Sequence, residues 1–188
     1  MEAFFVSTSL VALAEIGDKT QLLAFILAAR FRRPVPIMLG ILTATLFNHG
    51  LAGSLGAWIA SAVDPAILRT GLGLSFLAMA VWMLIPDQLD SDTMRLSRRL
   101  GVFGTTLLAF FFAEMGDKTQ IATVAMASHY AVLGPVVGGS TLGMMIANVP
   151  AVLIGERLAQ HLPTRRIHLL AAALFALLGG MVLLGLGG

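Results

Sequence analysis

Of the 22 charged residues among 188, six sit in two nearly identical octets inside long apolar runs: AEIGDKTQ, Ala14 to Gln21, and AEMGDKTQ, Ala113 to Gln120. Four carboxylates (Glu15, Asp18, Glu114, Asp117) and two ammonium groups (Lys19, Lys118) sum to −2, a charge that one divalent cation or two protons would neutralise. Each ionised side chain at a bilayer centre costs roughly 2.5 to 3.5 kcal/mol, so six left unpaired would cost on the order of 15 kcal/mol, more than a typical folding stability. Exposure of these groups to lipid is excluded on that ground, and they must face protein. The ligands on offer are hard oxygens: the four carboxylates, the Thr20 and Thr119 hydroxyls, the Gln21 and Gln120 amides, and any backbone carbonyl freed where Gly17 and Gly116 loosen the helix. Such a set suits calcium, manganese or magnesium better than zinc or copper.

On a regular helix Glu15, Asp18 and Lys19 share one face, as do Glu114, Asp117 and Lys118. Two purely structural Glu–Lys pairs, one on each helix, would account for the lysines. They would leave Asp18 and Asp117 without partners, and an unpaired buried carboxylate is the costly case. Asn48 and Asn148 fall at nearly corresponding places in the chain and are candidates for lining the site, with interhelical hydrogen bonding as their plainer role. Thr43, Thr45, Ser140 and Thr141 are weaker candidates of the same kind. His49, His129, His161 and His168 form no metal-ligand spacing, and only His49, beside Asn48, is placed to approach the acids. The octets differ only at Ile16 and Met115, which we expect to pack rather than touch an ion.

The elements that must hold these groups are membrane spans. Hydrophobic residues make up 57% of the chain and charged residues 12%, whereas charged residues form roughly a quarter of a soluble domain. About 20 apolar residues cross the hydrocarbon, and six stretches qualify, near 3–29, 35–60, 66–85, 102–128, 132–154 and 167–186. The first begins with Glu2 in place of a basic segment and carries internal charge, so it is expected to be a retained span and no signal peptide. The absence of Cys removes disulfides, thiolate metal sites and cysteine nucleophiles.

The octets are one sign of a longer repeat. Each half opens with a motif-bearing span, continues with a span rich in small residues, and closes with a third apolar span, so that 1–86 and 102–188 form two three-helix repeats joined by a polar linker at 87–101. An odd number of spans inverts the second repeat relative to the first, and inverted repeats place substrate sites near the midplane at their interface. The predicted fold is therefore an all-α integral membrane protein of six transmembrane helices in two inverted repeats. Gly53 with Ala57, Ala52 with Gly56, Gly139 with Gly143 and Ala151 with Gly155 stand four apart and predict close helix packing.

Basic residues orient the chain. Arg30, Arg32, Arg33, Arg95, Arg98, Arg99, Arg157, Arg165 and Arg166 flank the odd-numbered connections, while only Arg69 lies by an even-numbered one, which puts the odd connections in the cytoplasm and both termini outside. Asp87, Asp90 and Asp92 in the linker lack the remaining ligands and the Gly of an EF-hand loop. GDKT ends like a phosphate-binding loop but lacks its glycines and its strand, so neither ATP nor nucleic acid is an expected partner. No pattern of residues supports nucleophilic catalysis, and the chain reads as no enzyme.

Two copies of E-x-G-D-K-T in six spans of two inverted halves resemble the Gdt-type cation exchanger family, which includes Golgi calcium and manganese transporters and bacterial manganese exporters. The resemblance covers essentially the whole chain. It implies a cation/proton antiporter of the bacterial inner membrane whose metal ligands are Glu15, Asp18, Glu114 and Asp117, with Lys19, Thr20, Lys118 and Thr119 completing the motif. By the same resemblance the chain exports Mn2+, with Ca2+ as a second cargo, in exchange for protons. It needs no permanently bound cofactor, has the lipid bilayer and a divalent ion as partners, and leaves homo-oligomerisation open. The alternative reading is an exporter of another solute, such as a cationic amino acid, on a similar scaffold.

Overall fold

The computed structural model describes residues 1–85, 100–154 and 164–185. Asp87, Asp90, Asp92, Arg95, Arg98, Arg99, Gly155, Arg157 and His161 lie outside the described residues, as does nearly all of the linker at 87–101.

Eight helices are described: α1 Glu2–Glu15, α2 Lys19–Phe31, α3 Pro34–Ala62, α4 Pro65–Trp82, α5 Gly101–Glu114, α6 Lys118–Tyr130, α7 Leu133–Ile154 and α8 Thr164–Leu183. Four of them are long and apolar enough to cross a membrane: α3, α4, α7 and the Arg165–Leu183 part of α8. The first and fourth apolar stretches, expected as one span each, are instead pairs of shorter helices broken at the octets. At 14 and 13 residues, α1 and α2 are each about 20 Å long, so neither alone covers a hydrocarbon core of about 30 Å.

Starts and stops follow local chemistry. Asp64 caps α4 by accepting from the Ala66 and Ile67 amides at 2.9 and 3.4 Å, and Pro65 fills the first position, where a missing N–H costs nothing. Arg32 and Ala131, the caps of α2 and α6, both take left-handed backbone with φ 50° and 52°, turning the chain sharply into α3 and α7. Corresponding helices begin 99 residues apart throughout, at 2 and 101, 19 and 118, 34 and 133, and 65 and 164.

Small residues set the packing. A Cβ on Gly139 or Gly143 of α7 would strike the Phe4 or Thr8 carbonyl of α1, so these two helices run together in the same sense. Gly40 and Gly56 of α3 press in the same way on Thr106 of α5 and the Val124 carbonyl of α6. Gly53, late in α3, meets Leu133 and Val137, early in α7, so α3 and α7 pack in opposite directions. The α1–α2 pair consequently runs against the α5–α6 pair. Helices α4 and α8 pack on each other through Gly73 and Gly179 and through stacked Phe76 and Phe175, whose centroids are 6.3 Å apart.

Two apolar clusters result. One joins α1, α4, α6, α8 and the earlier part of α7 around Leu10, Phe76, Met126, Met144 and Phe175. The other joins α2, α3, α5 and α7 around Leu23, Ile41, Phe110 and Val152. The octets lie where the first group of helices gives way to the second. The outward surface is apolar, with Phe47, Leu51, Leu55 and Trp58 forming an exposed stripe on α3, while Glu15, Glu114, Asp117, Lys118 and Asn148 are buried. That is the reverse of a soluble protein and is what a lipid solvent selects.

Candidate metal centre

Each octet folds into the same broken helix. Glu15 closes α1, Ile16 is extended (φ −66°, ψ 114°), Gly17 takes φ +85°, and Asp18 caps α2. Glu114, Met115, Gly116 (φ +77°) and Asp117 repeat the pattern between α5 and α6. A positive φ is the conformation that glycine alone adopts without penalty, so the Gly before Asp is what permits the break. The last residue of the octet completes it. Gln21 and Gln120, at the third helical position after the caps, reach back and accept from the Gly17 and Gly116 amides at 2.9 and 2.7 Å. This is a variant of the capping box, satisfying donors that the break would otherwise strand. D-K-T-Q carries that signal in the sequence, and reading the octets as continuous helix overlooked it.

The break corrects the expectation that Glu, Asp and Lys share one helical face. Glu ends one helix, Asp begins the next, and the two are drawn together by the turn and by hydroxyls. Thr20 donates to Glu15 Oε2 at 2.6 Å and Thr119 to Glu114 Oε2 at 3.3 Å. The lysines, which the purely structural reading sets against the glutamates of their own octets, pair between the octets. Lys19 Nζ lies 2.7 Å from Asp117 Oδ1, and Lys118 Nζ 3.8 Å from Asp18 Oδ1. Each lysine thus reaches across to the aspartate of the other octet, and both aspartates are partnered.

Glu15, Glu114 and Asp117 converge, with one carboxylate oxygen from each lying within 4.8 Å of the others. Asp18 is buried in the same layer but stands outside this triplet, held toward Lys118. Oε1 of Glu15 and of Glu114 are buried without a hydrogen-bond partner among the described residues. Two ionised carboxylates at such a separation repel by about 3 kcal/mol at an effective dielectric near 20. A buried triplet therefore calls for bound positive charge, either a cation or protons. Three carboxylates with threonine hydroxyls beside them form an all-oxygen donor set of the kind hard divalent ions take.

The other sequence candidates surround this layer. Gln21 donates from Nε2 to the Ala147 carbonyl at 2.9 Å, tying α2 to α7. Asn48 donates to the Phe111 carbonyl at 3.1 Å, tying α3 to α5. Asn148 donates at 3.1 Å to the Met144 carbonyl of its own helix. The two asparagines are therefore not counterparts: a 99-residue offset pairs Asn148 with His49 and Asn48 with Ala147. His49 is buried on α3 and is not among the carboxylate-bearing group. Met115 is 53% exposed, so its thioether packs outward. One contact had no local signal in the sequence: Nε2 of His168, on α8, lies 3.0 Å from the Ile16 carbonyl at the first break.

The family described as "Divalent cation/proton antiporter GDT1" matches residues 3–91 and 102–186. A protein of Vibrio cholerae serotype O1 described as "Putative manganese exporter" is 50% identical over 179 residues, covering 95% of this chain and 88% of that protein. GDT1-like protein 3 of Oryza sativa subsp. japonica is 30% identical over 200 residues, covering 93% and 71%. GDT1-like protein 5 of Arabidopsis thaliana is 27% identical over 216 residues, covering 95% and 94%. No solved structure matches the chain.

Proposed function

Because the chain belongs to the divalent cation/proton antiporter GDT1 family and is thereby a membrane transporter of divalent cations and not an enzyme, we propose that it exports Mn2+ in exchange for protons, with Ca2+ as a second cargo. The observation that carries this reading is the buried convergence of Glu15, Glu114 and Asp117 from two separate helix breaks. The resemblance to the Vibrio cholerae protein described as "Putative manganese exporter" supports the choice of manganese.

Glu15, Glu114, Asp117 and, after a small shift of its lysine, Asp18 are the metal ligands in this proposal. Lys19 and Lys118 act as resident counter-charges. An arriving ion displaces their ammonium groups from the aspartates, and the ammonium groups return when the ion leaves. Thr20 and Thr119 hold one oxygen of each glutamate, leaving the other for the ion. With both lysines charged the layer sums to −2, so a metal ion or two protons can load it in alternation. The matched starts and opposed directions of the two halves support two inverted three-span repeats, 1–86 and 102–188, and alternating access by rocking one against the other. We place the protein in the bacterial plasma membrane with both termini outside, following its arginines.

The test is Mn2+ flux in proteoliposomes. Asp117→Asn and Asp18→Asn should purify as folded, monodisperse protein yet transport at the rate of empty liposomes. Wild-type flux from either variant would remove that aspartate from the site.

A further inference from the structure

Away from the acid layer, a cavity of about 360 Å3 opens where α4 begins and α6 and α8 end, with Pro65, Arg69, Ser128, His129 and Gly185 in its wall. Arg69 is exposed and has no ion-pair partner among the described residues. A second hollow of about 270 Å3 shares Leu68, Leu72 and Ser128 with the first and continues along the seam of α3, α4 and α6, past Gly71 and Ser75 to Ile121. Its wall is almost wholly apolar, Ser75 and Ser128 being the only polar side chains, and both donate to backbone carbonyls.

We propose that the two hollows are one site for a membrane glycerophospholipid, its phosphate on Arg69 beside His129 and one acyl chain in the groove. Three features match that occupant. The cation stands at the ends of the helices, the level at which headgroups lie, and it complements a phosphate. The cavity that holds the arginine passes directly into an almost wholly apolar groove, which fits an amphiphile better than a small free anion. From Ile67 to Ser75 the groove runs about 12 Å along α4, most of the depth of one leaflet, about 15 Å in a hydrocarbon core of about 30 Å. The chain would fill the seam as far as Ile121, the residue after the octet, and close the acid layer against lateral entry of water.

Native mass spectrometry of the full chain, after exchange into lipid-free detergent and titration with phosphatidylglycerol, tests the site. Wild type should retain one phospholipid. Arg69→Gln removes one basic contact and should weaken retention about five-fold. Gly71→Leu should abolish it, because Gly71 lines the groove, a Cβ there meets nothing within 4 Å, and the rest of the side chain would extend into the groove. Leucine is also the better helix former at that exposed position, so folding should survive. Retention equal to wild type in either variant, or no retained lipid on wild type, overturns the proposal. So does displacement of the lipid by millimolar inorganic phosphate, which would make the cavity a site for a free anion.

Discussion

Lys19 and Lys118 occupy the same place in the two octets, yet one sits 2.7 Å from its aspartate and the other 3.8 Å. That difference makes the site lopsided: Asp117 is held by Lys19 and drawn into the carboxylate triplet, while Asp18 is paired with Lys118 at the longer distance and stands outside the triplet. Lys19→Gln removes one positive charge, taking the layer from −2 to −3, and leaves Asp117 free to hold an ion. We expect a lower KM for Mn2+ together with a several-fold lower maximal rate, since an ion bound more tightly leaves more slowly; Lys19→Arg should behave nearly as wild type. Concentration-dependent flux checks both, and an unchanged KM in Lys19→Gln would mean that Lys19 and the ion do not compete. The residues of the candidate site stood out in the sequence because charge in an apolar run is expensive, and the structure brings Glu15, Glu114 and Asp117 together. Their pairing did not, since whether Lys19 meets Glu15 or Asp117 depends on how residues 98 apart in the chain are brought together.

At the scale of the element, the octet is a device for stopping and restarting a helix. Gly gives the positive φ, Asp takes the N-cap of the new helix, where Asp117 accepts from the Thr119 amide, and Gln closes the turn onto the Gly amide. Gly116 isolates the first of these, because a Cβ there meets no atom within 4 Å. Gly116→Ala should therefore carry only the conformational cost of a left-handed alanine, about 1 to 2 kcal/mol, seen as a lower melting temperature in detergent with transport reduced but present. A stability equal to wild type would mean that the break persists without glycine. By contrast, an Ala at Gly139 would collide with the Phe4 carbonyl, a clash of a different kind. Helix class and the four long spans could be read from hydropathy, but hydropathy is blind to a break whose flanks are equally apolar. D-K-T-Q held the missing information, as a cap followed three residues later by Gln.

The whole molecule shows its duplication in the constant 99-residue offset of its helices, which the repeated octet already marked in the sequence. The partnership of α4 with α8 left no such mark: the last helix of each half carries no motif, and the two meet through Gly73, Gly179 and the Phe76–Phe175 stack. The mirrored geometry of the two breaks has a consequence for energetics. If the layer crosses between its two accessible states loaded with either one divalent ion or two protons, its charge is zero in both crossings, because −2 is cancelled each time. A charge moved through a potential of 100 mV exchanges about 2.3 kcal/mol, and a neutral layer exchanges none. Mn2+ flux in proteoliposomes should accordingly respond to a pH gradient, speeding when the receiving side is acid, since protons there reload the emptied site. It should not respond to a potassium diffusion potential set with valinomycin. Flux that follows the potential would mean that a number of protons other than two replaces the metal, so that the layer carries net charge in one of its crossings.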